Sequence, residues 1–536
     1  MFSQYIEENT RQNNILDLFY SNNPNFVDLV NVKNVRMSDH NLIEIYTSFF
    51  NNNLNTHFNK DPPSEQFGLD FSKFNLERTD LEKVNQEFSC MNWKEIISGP
   101  VDNIPIKFNE AVFRVLQKYS PIKNNLNTPK NSFSKKRRVI SRKISKYKKR
   151  LCYSNNSGYK KKSLLDMIEK LREEKKSLFL EEKLFFERKA VEQIRTNCKY
   201  FYKYANSFKK VQTEPSILQD DHGELIMDKK VIADMLQQQF KSVFSNPLDC
   251  KNYSPRFEKP TITHPLPDLE ITTADIVKAI NEIKTSSSCP KYEIPAKVFK
   301  ECKYTLSVPL KMLWIKSFET GRVPQHYKHQ LVIPIYKKGP KTKCENFRPI
   351  SLTAHTIKIF ERILRDKLAS YFESNFLFNS NQHGFRRQRS CATQLIAHTN
   401  YIHSGLVEGS GVDCIYIDYA KAFDKVDHNV LLQKLKHYSV NDRYLNWIKS
   451  FLEGRFQTVN VDGFYSSSTP VLSGVPQGSV LGPLLFIIYL NDLSNEINGA
   501  KIQTFADDTK IVAKINTIDD NKNLQKKSRF SNNLVA

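Results

Sequence analysis

Two stretches decide the reading of this chain: Ile417-Asp418-Tyr419-Ala420-Lys421-Ala422-Phe423-Asp424 and Phe505-Ala506-Asp507-Asp508. Each follows an apolar, strand-like run. Val412, Ile415, Tyr416 and Ile417 are β-branched or aromatic and end at Asp418. Ile502–Phe505 and Lys510–Ala513 read as strands, with Ala506-Asp507-Asp508-Thr509 as the turn between them. Asp is a common turn former, so an Asp-Asp pair in a hairpin is ordinary when taken alone. Carboxylates delivered by separate strands to one place are a different matter. They suit a pair of divalent cations roughly 3.5–4 Å apart that clamp both oxygens of a phosphoryl transfer. Carboxylate oxygens together with substrate phosphates are also what Mg²⁺ prefers.

Between the two stretches lies Ser473-Gly474-Val475-Pro476-Gln477-Gly478-Ser479-Val480-Leu481-Gly482-Pro483-Leu484-Leu485-Phe486. A Gly-rich loop running into an apolar helix is common in any core. It also offers a flat backbone surface against which a base pair can rest, because glycine has no Cβ. The order is aspartate strand, Gly-rich loop and helix, then Asp-Asp hairpin.

In that order the three segments resemble the catalytic motifs A, B and C of reverse transcriptases, in the wording of non-LTR (LINE-type) retrotransposons. Upstream, Leu331-Val332-Ile333-Pro334-Ile335-Tyr336-Lys337-Lys338-Gly339, Asn346-Phe347-Arg348-Pro349-Ile350-Ser351-Leu352 and Gln382-His383-Gly384-Phe385-Arg386 resemble the family's fingers motifs in sequence order. The resemblance implies metal binding by Asp418, Asp507 and Asp508, with Mg²⁺ or Mn²⁺ as cofactor. Phe423 falls where the family keeps an aromatic under the sugar, a steric bar to a 2′-hydroxyl and equally a plain core aromatic. Gln477 and Gly478 would contact the nascent base pair or template. Arg348, with Lys337 or Lys338, would lie over the triphosphate, where guanidinium offers a fixed fork to phosphate oxygens. An exposed lysine pair is more often simply solvated. The partners implied are an RNA template, a DNA primer or target and dNTPs.

At the other end, Leu16-Asp17-Leu18-Phe19 and Ser38-Asp39-His40 resemble the last part of the apurinic-endonuclease-like domain found upstream of many such polymerases. There the partners of Asp17 and Asp39 orient a histidine and help hold a metal. The earlier ligands of that family have no counterpart before Asp17, so residues 1–50 are expected to be a remnant without nuclease activity.

Residues 51–260 are expected to form a basic, mainly helical connector. Lys135–Arg150 carries ten Lys or Arg and no acid, and Ser163–Cys198 alternates apolar and charged residues. Such a block suits a nucleic-acid arm, a nuclear-import signal or a solvated helix; phosphate binding comes first beside a polymerase. The whole chain has 80 basic and 57 acidic residues, a formal charge of +23, which favours a polyanionic partner. Nine cysteines without a C-x-x-C pair argue against a zinc module or a disulfide scaffold. No signal peptide is visible, and the longest apolar run, Val480–Leu490, is too short for a bilayer. The expected setting is therefore intracellular, in nucleus or cytoplasm.

The fold expected is α+β: right-hand polymerase fingers and an antiparallel palm sheet over 261–536, with the thumb absent. Two departures from the family stand out. Ser286–Pro295 replaces a usual Gly-Pro-Asp-Gly stretch, and the sequence beyond Asp508 lacks the expected motif D and thumb. The alternative to an active RNA-directed DNA polymerase is thus a truncated relic that binds nucleic acid without catalysis.

Overall fold

The computed structural model describes residues 3–4, 20–21, 27–33, 42–47, 69–123, 132–153, 158–194, 200–202, 215, 217–245, 258–493 and 500–535. Asp17, Asp39 and His40 lie outside them. The chain divides into two compact units, 1–59 with 124–211 and 60–123 with 212–536. These units do not follow the expected boundaries at 50 and 260. The described residues of 69–123 and 217–245 belong to the larger unit, where apolar side chains such as Phe88, Phe108 and Leu236 are buried.

In the smaller unit, Val27–Lys33 and Leu42–Thr47 pair antiparallel. Helices Ser132–Tyr153 and Gly158–Glu192 pack on one another. The basic block Lys135–Arg150 is therefore helical. One of its cations is used internally: Arg137 meets Glu182 at 2.6 Å and lies over the Phe179 ring.

The larger unit is built on seven principal helices: α1 (Ile104–Tyr119), α2 (Lys229–Lys241), α3 (Lys303–Glu319), α4 (His355–Ser374), α5 (Cys391–Val407), α6 (Asp442–Leu452) and α7 (Gly482–Tyr489). Its strands are β1 (His329–Tyr336), β2 (Phe347–Leu352), β3 (Gly411–Ile417), β4 (Arg455–Val461), β5 (Phe464–Tyr465), β6 (Thr469–Val471), β7 (Lys501–Phe505) and β8 (Asp508–Ile515). β1, β2, β4, β5 and β6 make one mixed sheet in the order β5-β4-β1-β2, with β6 also on β4. β4 runs parallel to β1, and β2 returns antiparallel with Arg348 opposite Ile335. α2 covers this sheet, burying Leu236 and Phe240 against Val332, Phe347 and Val459.

The second sheet is antiparallel, in the order β7-β8-β3. Large aromatics hold the helices beside it. Phe360 of α4 stacks on Trp314 of α3 at 4.8 Å and meets Trp447 of α6 edge-on at 4.9 Å. Such ring pairs contribute about 0.5–1.5 kcal/mol each beyond the area they bury. The Trp447 indole N–H donates to Ser317, so its polar end is satisfied inside the core.

The stretch Ser286–Pro295 forms its turn without the glycines of the related motif: the Ser287 amide donates to the Lys284 carbonyl at 2.9 Å. It also buries Glu293, which accepts from Asn109 of α1 and meets His326 Nε2 at 2.5 Å. This contact ties α1 to the strand entry at β1. Burial lowers the affinity of His326 for a proton, but the facing Glu293 carboxylate outweighs it and the net shift is upward. A raised histidine pKa stabilises the fold fully below the unfolded value near 6.5, and that contribution is lost as pH rises through the folded value. We expect the wild-type Tm to exceed that of His326→Gln by a margin that is full below the unfolded histidine pKa near 6.5 and shrinks as pH rises through the raised folded pKa. A margin constant with pH in thermal melts would remove the charged pair from the account.

Candidate active site

The hairpin that carries Asp507 and Asp508 is tighter than its sequence suggests. Phe505 pairs directly with Asp508, so only Ala506 and Asp507 form the loop, and Ala506 takes φ 57°. Asp508 is already in β8, and the next residue, Thr509, pairs with Ile417 at the end of β3. Asp418 follows Ile417. The register therefore sets Asp418 beside the Asp507-Asp508 turn, at one end of the three-stranded sheet. Asp418 and Asp508 are exposed and Asp507 is half-buried.

Electrostatics records how close the three stand. Burial raises the pKa of Asp507, the charges of Asp508 and Asp418 raise it further, and Arg348 of β2 pulls it down. Arg348 thus shares the field of the aspartates although it comes from the other sheet. Lys337 and Lys338 directly follow β1. Both are exposed on the β1–β2 turn, and no hydrogen bond or ion pair among the described residues links them to the carboxylates. Among the described residues, no group of three or more His, Cys, Asp or Glu side chains is placed so as to hold a metal ion. The aspartates make an open, mutually repelling edge. That donor set fits a hard divalent cation, which keeps water and phosphate oxygens among its ligands.

The turn is clamped from behind by a segment whose role the sequence did not reveal. Asn381 and His383 exchange backbone hydrogen bonds with Thr504 of β7. The Gln382 side-chain oxygen accepts from the amides of Gly384, at 2.7 Å, and Ala506, at 3.1 Å. Gly384 lies so close that a Cβ there would stand 3.0 Å from the Ala506 Cα and nearer still to its amide nitrogen. The only signal in the sequence was the Gln-His-Gly run itself.

The Gly-rich loop docks on the turn after β3, at Phe423–Val426. The Val475 amide donates to the Phe423 carbonyl at 2.9 Å, and Gly474 donates to Val426 at 2.7 Å. Gly474 has φ 88°, and a Cβ there would sit 2.8 Å from the Asp424 backbone. Phe423 stacks on Phe486 of α7 at 4.2 Å and meets Phe385 edge-on. Farther along, the Ser351 amide of β2 donates to the Gln477 carbonyl, and a Cβ on Gly478 would lie 2.5 Å from the Ser351 oxygen.

Two buried carboxyls complete the loop. Glu361 of α4 accepts from the amides of Val480 and Leu481 at 2.6 and 2.9 Å. It thereby caps α7, whose own N-cap residue Leu481 supplies no side-chain bond. Burial raises its pKa, and those two amides oppose the rise. Asp424 accepts from Gln477 Nε2 at 2.8 and 3.0 Å, yet burial still pushes its carboxyl up to about 6. Nothing in the amphipathic pattern of α4 singles out Glu361. Asp424 was visible beside Phe423 but carried no assigned role.

Gly384→Ala is expected to cost about 1–3 kcal/mol of stability, because the added methyl must push the Ala506 turn aside. Gln382→Ala is expected to cost a similar amount, leaving two amides without their acceptor. Denaturant unfolding reads both, and two variants as stable as the wild type would remove the clamp.

The comparisons with known proteins bear on the same region. Residues 335–532 match the family described as reverse transcriptase (RNA-dependent DNA polymerase). The chain is 33% identical over 217 residues to the RNA-directed DNA polymerase from mobile element jockey of Drosophila melanogaster, covering 39% of this chain and 24% of that protein. It is 29% identical over 251 residues to the probable RNA-directed DNA polymerase from transposon BS of the same fly, covering 45% and 28%. It is 26% identical over 174 residues to the Pol polyprotein from type-1 retrotransposable element R2 of Popillia japonica, covering 32% and 24%. The matched part is about a quarter of the length of these relatives. With Asp418, Asp507 and Asp508 at one sheet end and the Gly-rich loop beside them, residues 335–532 are a reverse transcriptase domain of the non-LTR mobile-element type.

Proposed function

We propose that this chain is an RNA-directed DNA polymerase that extends a DNA primer with dNTPs on an RNA template. The observation that carries this reading is the β3–β8 register, which sets Asp418 beside Asp507 and Asp508 within the field of Arg348. In the reaction, a primer 3′-hydroxyl attacks the α-phosphate of the incoming dNTP and pyrophosphate leaves.

The three aspartates would hold Mg²⁺ or Mn²⁺, which when bound activates the attacking oxygen and stabilises charge on the phosphate. The chain's own residues do the rest by position. Arg348 offers its guanidinium to the triphosphate. Phe423, braced on Phe486, lies under the sugar and excludes a 2′-hydroxyl. Gln477 and Gly478, held on Ser351, meet the nascent base pair. Their loop cannot drift, because its backbone is tied to β2, to Phe423 and to Glu361. Such rigidity matters because a misplacement near 1 Å costs about a hundredfold in rate.

The two sheets and their helices are the fingers and palm of a right-hand polymerase on this reading: β3, β7 and β8 form the palm sheet. The basic helix Ser132–Tyr153 supplies sequence-independent grip on phosphates.

Primer extension on an RNA template with Mg²⁺ or Mn²⁺ tests the proposal. Asp507→Asn should lose at least about a hundredfold in extension rate while keeping RNA affinity. Phe423→Val should raise rNTP incorporation relative to dNTP. If the wild type binds RNA but extends no primer, the chain is a nucleic-acid-binding protein without polymerase chemistry.

A further inference from the structure

Asp424 takes no direct part in the phosphoryl transfer, yet it is buried and aimed at a residue that faces the substrate. We infer that Asp424 is a positioning residue for Gln477: it fixes the Gln477 amide with Nε2 inward and Oε1 presented to the nucleotide and template. The inference rests on the polymerase reading and adds a residue to it.

The geometry holds the backbone around Gln477. Its backbone is held by the Ser351 amide on one side and by the Gly474 and Val475 amides, bonded to Val426 and Phe423, on the other. The Ser473 hydroxyl adds a bond to the Asp424 carbonyl at 2.7 Å. Only the side chain remains to be set. Its amide can face inward with either its donor or its acceptor end. An ionised carboxylate accepts and never donates, so it admits only the Nε2 end. Both Asp424 oxygens lie within 3.0 Å of that nitrogen. Among the described residues, Oε1 of Gln477 receives no hydrogen bond, and it is left for a hydroxyl or amino donor on the nucleic acid.

Position makes the device economical. Asp424 shares a turn with Phe423, and that turn is closed by its own amide on the Lys421 carbonyl. The residue under the sugar and the residue facing the base pair are thus set by one rigid element. Asp424 and Gln477 line one pocket together with Phe240, Ser351, Arg455 and Ser473. An Asn at 424 would present a donor and an acceptor together, and Gln477 could then sit either way round.

The test is a double-mutant cycle on Asp424→Asn and Gln477→Ala at about pH 8, where the carboxyl is ionised. In single-nucleotide incorporation, each single variant should lower kcat/KM about tenfold, chiefly through KM for the dNTP. The double variant should be no worse than Gln477→Ala alone. Multiplicative losses, or wild-type kinetics in Asp424→Asn, would overturn the inference. Thermal melts of the same four proteins read the contact without any activity: the Tm loss of the double variant should be smaller than the sum of the single losses. Additive Tm losses would overturn the inference even where no incorporation is seen. A wild type that incorporates nothing refutes the polymerase reading alone, and the melts then decide on Asp424.

Discussion

The antiparallel pairing of β8 with β3 is the constraint on which the site depends. With Thr509 opposite Ile417, Asp418 and the Asp507-Asp508 turn share one sheet end. Because side chains alternate faces along a strand, a slip of one residue would send this set to the other face. The pairing brings like charges together, which is unfavourable, and burial adds to the penalty at Asp507. Apolar burial elsewhere in the sheet offsets it: Ile502, Ile511, Val512 and Ala513 are all buried. A repelling carboxylate edge held open by a well-packed sheet is what a cation-dependent phosphoryl transfer needs.

Around that edge, the surrounding segments act mainly as braces. Gln382 and Gly384 hold the hairpin from behind, Glu361 caps the helix after the Gly-rich loop, and Ser351 holds the loop's backbone. Gln382 and Glu361 act through side-chain oxygens that accept from backbone amides, Gly384 through its missing Cβ, and Ser351 through its own backbone amide. The two buried carboxyls, Glu361 and Asp424, both end on this loop, where burial without such partners would be costly.

The legible and illegible parts of the site divide along the same line. Asp418, Asp507 and Asp508 stood out through the order of aspartate strand, Gly-rich loop and Asp-Asp hairpin, and their strands were readable from β-branched and aromatic runs. The turn was read as four residues, whereas pairing with β7 draws Asp508 and Thr509 into the strand and leaves two. Arg348 was readable as a cation in a family-like motif, and the structure sets it in the field of Asp507. Lys337 and Lys338 lie exposed on the β1–β2 turn. The compact units also differ from the boundaries drawn from composition, because the helices of 69–123 bury their apolar faces far along the chain.

Sequence by itself determined the chemistry available: which carboxylates exist, which strands carry them, and that a Gly-rich loop enters an apolar helix. Local periodicity and residue type carry that information because they act over a few neighbouring positions. Tertiary structure alone decided which groups meet. Glu361 reaches the Val480 amide across 119 positions and Gln382 reaches Ala506 across 124, and no local pattern encodes such contacts. They arise when packing of Trp314, Phe360 and Trp447 fixes the helices, and the register of β3 and β8 fixes the sheet beside them.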